Sequence, residues 1–504
     1  MYLTAEELQE VDHELFRKVS ILEILADGQW LTVTGLSRIL SIDTRSVGRL
    51  IHELTKEYHL FTGSDLALFA RDKRLGYRLL FADNELEQEQ FLIFMIRKTL
   101  SFQLLEEILA EKLHSLQDFS ENFYISETTA HRKVTELKKN LARYGLALQR
   151  GSYQLIGDEK AVRMYLSIYY WRLFRGKIWP FPQIDRKKVA EAAKAVMAFF
   201  GVAFHDMKKR RLEYLIAASL MREAQQHHLP NDEVLTHYLK DNQFFAEFSA
   251  KITTHLPLYH RSKKAVGYLY LALLTREEYY QQPAILAELI KDHQRRETRV
   301  HLHHQRLTDL ILADLGEDPV QGKKLLQQAQ GYLLSGHLFA ELFPTLELGI
   351  NATAFWTASV HKHPELIQWV KNKFELVKKE TNDPIFSMNK MLFRRYLTVL
   401  KELSEFMPDL PQLRILLLTD LPLFEEDVLI RDLRHFFKRN YQLIFFRQPA
   451  EEDCDLCLTT SYLLWPLESG LETLLITQEL KMDDYLHLME VFEAHVEKSQ
   501  QKNR

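Results

Sequence analysis

Apolar residues recur at helical spacing over the first 60 residues of the chain. The spacing predicts an amphipathic helix over residues 14–25, a short helix over 33–40 and a longer one over 44–57. Either Asp43 or Ser41 can cap the last of these helices. Two helices joined by so tight a turn are typical of a helix-turn-helix, whose second helix lies in the major groove of DNA.

The same spacing gives this motif an inner and an outer face. The predicted inner face is apolar and consists of Leu36, Ile39, Leu40, Val47, Leu50 and Leu54. The predicted outer face holds Arg45, Ser46, Arg49 and His52, and we expect DNA contacts from Arg45, Ser46 and Arg49. Residues 66–81 place Gly76 in a basic turn and predict a β-hairpin wing.

A second copy of this plan follows along the chain. Residues 91–114 predict two amphipathic helices, and 125–141 predict a recognition helix with an apolar face at i, i+4, i+7 and i+11. Residues 146–157 alternate apolar and polar side chains around Arg150-Gly151-Ser152, which predicts a second hairpin. The candidate DNA contacts of this unit are Ser126, Thr128, Thr129, His131, Arg132, Lys133, Lys138 and Arg150.

Charge is distributed unevenly along the chain, whose formal net charge is −4. Lys and Arg exceed Asp and Glu by four over residues 126–157 and by two over 31–56, whereas residues 408–504 carry a net charge of −8. Phosphate binding depends on local positive charge. The second unit is therefore the stronger electrostatic candidate for DNA, and the acidic C-terminal part is a poor one.

The rest of the chain predicts a mainly α, multidomain protein. Residues 161–407 are nearly all helical in pattern, and Gly and Pro are scarce, with 17 and 14 of 504 residues. Strands over 414–418, 441–446, 454–459 and 474–476 alternate with helices over 425–440 and 482–496, which predicts a small parallel-sheet α/β domain. The predicted domains are two winged helix-turn-helix units (1–82 and 83–160), two all-α regulatory bundles (161–283 and 284–407) and the α/β domain (408–504).

Several classes of protein are excluded by pattern. No apolar run is long enough to span a bilayer, and two cysteines do not make a disulfide framework, so we expect a cytoplasmic protein that does not bind membranes. No Gly-x-Ser-x-Gly, His-Glu-x-x-His or Gly-x-Gly-x-x-Gly motif is present. We therefore expect no catalytic residues, no metal and no cofactor, and the chain is not predicted to be an enzyme.

One stretch resembles a known family. The stretch contains Ser126-x-x-Thr129-x-x-Arg132-Lys133, then Gly145-Leu146, then Leu155-Ile156-Gly157-Asp158-Glu159 and Arg163. This pattern is similar to the Mga/AtxA family of Gram-positive virulence and global regulators. The resemblance implies two winged helix-turn-helix units, two helical regulatory domains of the sugar phosphotransferase system and a C-terminal IIB-like domain. It further implies a homodimeric transcription regulator that binds double-stranded DNA and is phosphorylated on histidine by phosphotransferase-system phosphocarrier proteins.

The resemblance also directs attention to particular histidines. His205 and His260 lie 55 residues apart, similar to the two-histidine spacing of such regulatory domains, and His337 is similarly placed in the second domain. His361 and His363 are alternatives there. An active IIB domain carries a Cys or His in the loop after its first strand, but residues 419–422 here are Thr-Asp-Leu-Pro. We therefore expect this domain to serve docking or dimerisation and not phosphoryl transfer.

Two other functions use the same regulatory domains. The chain could be an RNA-binding antiterminator, or a helical scaffold that binds no DNA. An antiterminator of this type would begin with a small β-rich RNA-binding domain, whereas the first 60 residues here are helical in pattern. The paired winged units therefore favour DNA.

Overall fold

The computed structural model describes residues 12–26, 28–80, 85–315, 320–346, 364–387, 389–403, 411–437, 441–447, 454–460, 471–477, 480 and 482–502. The described chain is mainly helical with a small parallel sheet, as the sequence predicted. It forms two compact units. The first takes its described residues from 12–301, 334–346 and 389–392, and the second from 302–333, 364–387 and 393–502. Within these ranges no helix is both long and apolar enough to cross a membrane.

In its described residues, from 12 to 80, the first winged unit has three helices and a hairpin. Its elements are α1 (His13–Ile24), α2 (Val33–Leu40), α3 (Thr44–Thr62), β1 (Phe69–Asp72) and β2 (Gly76–Leu79). The two strands pair antiparallel, with Phe69 opposite Leu79. A β-bridge between Leu31 and Tyr77 fastens the hairpin to the segment before α2. The predicted helix-turn-helix and wing are therefore present.

One residue of the predicted inner face is misplaced. Leu36, Val47, Leu50 and Leu54 are fully buried, but Ile39 is 57% exposed, so its assignment to the core is wrong. At 3.6 residues per turn, Ile39 lies about 60° around the helix axis from Leu36 in one direction, and Leu40 lies about 40° from Leu36 in the other. The half-buried residue of this last turn is Leu40, so α2 packs on the Leu40 side.

The second winged unit repeats the plan with one more helix. Its elements are α4 (Glu85–Lys98), α5 (Leu100–Leu109), α6 (Leu116–Asn122), α7 (Glu127–Ala142), β3 (Ala147–Leu148) and β4 (Leu155–Ile156). The short strands pair antiparallel. Ala130, Val134 and Leu141 of α7 are buried, as the spacing predicted. This buried stripe fixes which side of α7 faces outward.

Helices fill the middle of the chain. They are α8 (Glu159–Phe174), α9 (Arg186–Phe199), α10 (Asp206–Ala224), α11 (Glu233–Leu239), α12 (Gln243–Ile252), α13 (Lys263–Leu274), α14 (Pro283–Arg295), α15 (Arg299–Asp314), α16 (Val320–Gln328), α17 (Gln330–Leu342), α18 (Pro364–Thr381) and α19 (Lys390–Leu403). Most residues of α8 and every residue from Ala265 to Leu274 in α13 are buried. A helix that is buried on all sides lies at the centre of a bundle, so α8 and α13 are central helices of the first helical region.

The C-terminal part is a parallel α/β sheet. Its strands are β5 (Gln412–Leu418), β6 (Gln442–Phe446), β7 (Leu456–Thr459) and β8 (Thr473–Leu475), and its helices are α20 (Leu423–Phe437) and α21 (Met482–Lys502). The strands lie in the order β6-β5-β7-β8, and every pair is parallel. The predicted small parallel sheet is confirmed.

Candidate nucleic-acid interface

The outer face of α3 begins beside a well-formed cap. Asp43 Oδ1 accepts a hydrogen bond from the Ser46 backbone N–H at 2.8 Å, and the Ser46 hydroxyl donates to Asp43 Oδ2 at 2.6 Å. Both bonds stabilise the carboxylate and lower the pKa of Asp43, the bond from the Ser46 side chain more than the backbone one. Because its hydroxyl is engaged in this cap, Ser46 holds the helix start, whereas it was predicted to contact DNA.

The two predicted arginines of α3 differ in their surroundings. Arg45 is exposed, and no salt bridge to it is present within the described part of the chain. Arg49 is 49% exposed but pairs with Glu14 at 3.2 Å and with Glu53 at 2.6 Å. Exposed ion pairs of this kind are weak and exchange readily. Arg45 is therefore the more available cation for DNA, because Arg49 can bind a phosphate only after its ion pairs with Glu14 and Glu53 break.

The first wing presents further cations that were not among the predicted contacts. Arg71, Lys73, Arg74 and Arg78 are all exposed along the hairpin. Asp72 Oδ1 accepts hydrogen bonds from the backbone N–H groups of Arg74 and Leu75, at 2.7 and 2.9 Å, and so fixes the tip. The basic composition of the turn was the signal in the sequence that could have identified these residues.

In the second unit, α7 starts from a capped and exposed end. Ser126 Oγ accepts the Thr129 backbone N–H at 3.2 Å and lies 2.9 Å from the Thr129 hydroxyl. Beyond the cap the outer face is open to solvent, and the exposed residues include the acids Glu127 and Glu136 as well as Thr128, His131, Arg132, Thr135, Lys138 and Lys139. The only salt bridge to Arg132 among the described residues is a long one, 3.9 Å to Glu136. This face therefore offers exposed cations to a ligand.

Lys133 is an exception among the predicted contacts. Its Nζ lies 3.0 Å from Asp12 Oδ2 and 3.2 Å from Glu136 Oε2, and its side chain is only 12% exposed. Burial is the largest single effect and opposes the charged amine, but the hydrogen bonds and negative charges of Asp12 and Glu136 together outweigh it and raise the pKa of Lys133. The prediction that Lys133 faces DNA does not fit this placement. Its partner is 121 positions away in sequence, so no local pattern could have revealed it.

This ion pair lies in a cleft between the two winged units. The cleft has a volume of about 1020 Å³. Its walls come from the start of α1, the end of α3, α4, the start of α5 and α7. The exposed Arg132 and Lys139 of α7 are among its lining residues, together with Lys18, Lys98 and Arg143. Lys18 pairs there with Glu14, Glu53 and Glu57 at 2.9 to 3.3 Å. The Lys133–Asp12 pair thus links the second unit to the first, whereas the Lys18 pairs hold α1 and α3 together within the first unit.

The second wing is short and has a basic tip. Arg150 is exposed at the turn between β3 and β4, and Gly151 follows it with φ of 91°. A Cβ on Gly151 would meet nothing within 4 Å, so the turn needs the glycine for its backbone angle alone. The structure places Arg150 at the tip of the wing, where the sequence predicted it.

A buried network joins this second unit to the helices that follow. Arg163 is fully buried and donates to Glu159 at 3.0 Å, to the Ser219 hydroxyl at 3.0 Å and to Glu223 at 2.8 Å. Arg222 donates to Glu159 Oε2 at 2.8 Å and also to the backbone carbonyl of Leu155 in β4, at 3.4 Å. The network therefore runs from the wing through α8 into α10.

A second set of contacts connects α10 to the helices before the recognition helix. Gln225 Nε2 donates to the carbonyl of Leu109 at 2.8 Å. The ring of His227 bonds to the carboxylate of Glu111. The C-terminal end of α10 is thus fixed to the second winged unit by side chains, in addition to the chain connection.

The predicted phosphorylation sites differ in exposure. His205 is exposed and occupies the N-cap of α10, where its side chain makes no capping bond. His260 and His337 are fully buried. Burial, with the nearby Arg163 charge, lowers the pKa of His260 to about 3. A phosphoryl donor has direct access to His205 alone among these three, and the alternatives His361 and His363 lie outside the described residues.

Comparisons with known proteins agree with this geometry. Residues 84–170 match the model of the Mga helix-turn-helix domain, which confirms the predicted resemblance over this stretch. The capsule synthesis positive regulator AcpB of Bacillus anthracis is 24% identical over 218 residues, which are 43% of this chain and 44% of that protein. The capsule synthesis positive regulator AcpA of the same organism is 19% identical over 222 residues, again 43% and 44%. The chain thus matches less than half the length of these relatives.

Proposed function

We propose that this chain is a transcription regulator that binds duplex DNA mainly through α7 and the second wing. The observation that carries the proposal is the open outer face of α7, where Arg132, Lys138 and Lys139 lie within the stretch that matches the Mga helix-turn-helix domain. The relatives named above as positive regulators support the same function. In this arrangement α7 enters the major groove and Arg150 contacts the adjacent backbone.

The first winged unit is proposed as a second, weaker contact. Arg45 on α3 and the cations of the first wing supply its positive charge. The Lys133–Asp12 pair connects the two units, so both would meet the duplex in a defined spacing. Arg49 would contribute only after exchanging Glu14 and Glu53 for phosphate.

Duplex type tests the proposal against the RNA-binding alternative. A helix fits the major groove of B-form DNA, but the major groove of A-form RNA is too deep and narrow to be read by side chains. The full-length protein should bind a 30-bp random DNA duplex more tightly than an RNA duplex of the same sequence, in a fluorescence anisotropy titration. Equal or tighter binding to RNA would favour an antiterminator, and binding to neither would favour a scaffold.

We further propose that phosphotransferase-system phosphocarriers phosphorylate the chain on His205. His205 is exposed, and the half-buried cations Lys208, Lys209 and Arg210 follow it on α10. Such cations stabilise an added phosphate by charge-assisted hydrogen bonds. Because the other end of α10 is bonded to the second winged unit through Arg222, a charge added at His205 can shift the position of that unit.

Acid-labile labelling tests this second proposal. The full-length protein would be incubated with the general phosphotransferase proteins and labelled phosphoenolpyruvate. His205→Ala should remove most of the label, whereas His260→Ala and His337→Ala should retain it, since those rings are buried. Loss of label only in His260→Ala or His337→Ala would mean that the bundle opens to expose a buried acceptor. An unlabelled wild type would contradict phosphorylation altogether.

A further inference from the structure

The two helix-turn-helix motifs share one turn geometry. In the first motif, Ser41 has φ of 54° and lies two residues before the cap residue Asp43. In the second, Tyr124 has φ of 53° and lies two residues before the cap residue Ser126. The left-handed position therefore holds a small polar residue in one motif and a large aromatic residue in the other.

The backbone of the two turns is hydrogen-bonded in the same way. Ile42 N–H donates to the Ser37 carbonyl at 3.2 Å, and Ile125 N–H donates to the Ser120 carbonyl at 3.0 Å. Each bond joins the residue after the left-handed position to a carbonyl five residues earlier. Since the first motif forms this turn with serine, the turn itself does not require a tyrosine.

Folding also gives no reason for a tyrosine at this position. A bulky residue with positive φ is strained, and Gly or Asn is the usual occupant. Tyr124 is 96% exposed, so its ring gains nothing from burial. No ring contact or hydrogen bond to its side chain is present among the described residues. A strained residue kept without a compensating contact is often retained for function.

We propose that the Tyr124 hydroxyl donates a hydrogen bond to a DNA phosphate at the edge of the groove that α7 enters. The N-terminal residues of a recognition helix approach the base edges, so the turn just before it lies against the backbone of the duplex. Tyrosine is among the side chains that bind phosphate oxygens and so set the register of a protein on DNA. The inference rests on the proposed function and adds to it a contact residue.

The test compares full-length variants in binding to a 30-bp random DNA duplex. Tyr124→Phe removes only the hydroxyl and should weaken binding about tenfold, which corresponds to one hydrogen bond to a charged group. Tyr124→Asn removes the ring and should weaken binding at least as much. Tyr259→Phe, which removes the hydroxyl of another exposed tyrosine, is the matched control and should leave binding unchanged.

Thermal unfolding separates a binding role from a structural one. Because asparagine tolerates positive φ, Tyr124→Asn should raise the unfolding temperature while it lowers the affinity. Unchanged affinity in Tyr124→Phe and Tyr124→Asn, with a wild type that binds DNA, would overturn the contact and leave the proposed function intact. A lower unfolding temperature in Tyr124→Asn would overturn it too, since tyrosine would then stabilise the turn. A wild type that binds no duplex DNA would overturn both.

Discussion

Arg163 is the residue on which the junction between the second wing and the helical region depends. Its guanidinium is fully buried among Glu159, Ser219 and Glu223, and it stacks 5.5 Å from the Tyr268 ring centre. Removing one partner of a buried ion pair leaves an uncompensated charge. Arg163→Met should therefore lower the free energy of unfolding by about 3 kcal/mol, measured from urea unfolding curves.

The matched control for Arg163 is an exposed arginine. Arg132→Met changes the same side-chain type on the outer face of α7, where 69% of the side chain is exposed. It should alter the free energy of unfolding by less than about 0.5 kcal/mol. Equal effects of the two substitutions would show that the buried network contributes little to stability.

Buried histidines make stability depend on pH. Burial lowers the pKa of His260 to about 3 and that of His293 to about 4, from an ordinary value of 6.5. Between the lowered and the ordinary pKa, the histidine of the unfolded chain binds a proton that the same histidine in the folded chain does not. The contribution of each buried histidine to the free energy of unfolding is therefore fully present above pH 6.5 and is lost as the pH falls toward its lowered pKa. Each such group contributes a slope of up to about 1.4 kcal/mol per pH unit.

A substitution isolates the contribution of one histidine. His260→Gln should flatten the loss of stability between pH 6.5 and about 4, measured as the shift of the urea midpoint with pH. His205→Gln is the control, because it makes the same substitution at an exposed ring and leaves His260, with its contribution to the slope, in place. An unchanged slope in His260→Gln would mean that His260 is not held neutral in the folded protein.

At the scale of elements, the first wing depends on the close approach of its second strand to the segment before α2. Gly76 has φ of 96°, and a Cβ there would lie 2.2 Å from the Leu31 carbonyl oxygen. Gly76→Ala should therefore break the bridge between Leu31 and Tyr77 and destabilise the wing by more than about 1 kcal/mol. Hydrogen exchange at the Tyr77 amide, which donates to Leu31 at 2.8 Å, measures the effect.

Another wing glycine provides the control for this effect. Gly151 has a similar φ of 91°, but nothing lies within 4 Å of the position that its Cβ would take. Gly151→Ala should show only the cost of the backbone angle and should leave the Tyr77 amide protected. Rapid exchange of that amide in Gly151→Ala, or full protection in Gly76→Ala, would contradict the role of the close approach.

The elements were predictable where apolar spacing decides them. The spacing predicted α2 over 33–40, as observed, but ended the next helix at 57, whereas α3 continues to Thr62 before Gly63. Ser46 and Lys133 were assigned to DNA because they are polar and on the expected side. The cap at Asp43 and the distant partner Asp12 decide their positions instead. The spacing of apolar and polar residues along the sequence does not reveal such contacts.

At the scale of the whole molecule, the predicted domain boundaries stay predictions. Most of α17 belongs to the first compact unit, whereas α16 and α18 belong to the second compact unit. The helices of the predicted 284–407 bundle are therefore divided between the two compact units. The parallel sheet was predictable because buried strands and amphipathic helices alternate in that region.

Dimerisation is proposed to involve the C-terminal α/β domain. Leu423 and Phe424 at the start of α20 are 65% and 76% exposed, and adjacent exposed apolar residues are typical of an interface. Phe424→Glu should shift the protein from dimer to monomer in sedimentation velocity. Leu486→Glu, at a separate exposed apolar position of α21, serves as the comparison. A wild-type monomer, or a Phe424→Glu dimer, would contradict this interface.

The most direct test of DNA binding through α7 is the salt dependence of affinity. Each phosphate neutralised by a cation adds about 0.9 to the steepness of log K against log salt concentration. A triple variant in which alanine replaces Arg132, Lys138 and Lys139 should bind DNA more weakly. Its slope should be flatter by about 0.9 for each phosphate that is no longer neutralised. The charge-matched control is Lys187, Lys188 and Lys194 changed to alanine on the exposed side of α9, which should keep the wild-type slope. A slope that is unchanged in the α7 variant, or flattened equally in the α9 variant, would contradict DNA binding through α7.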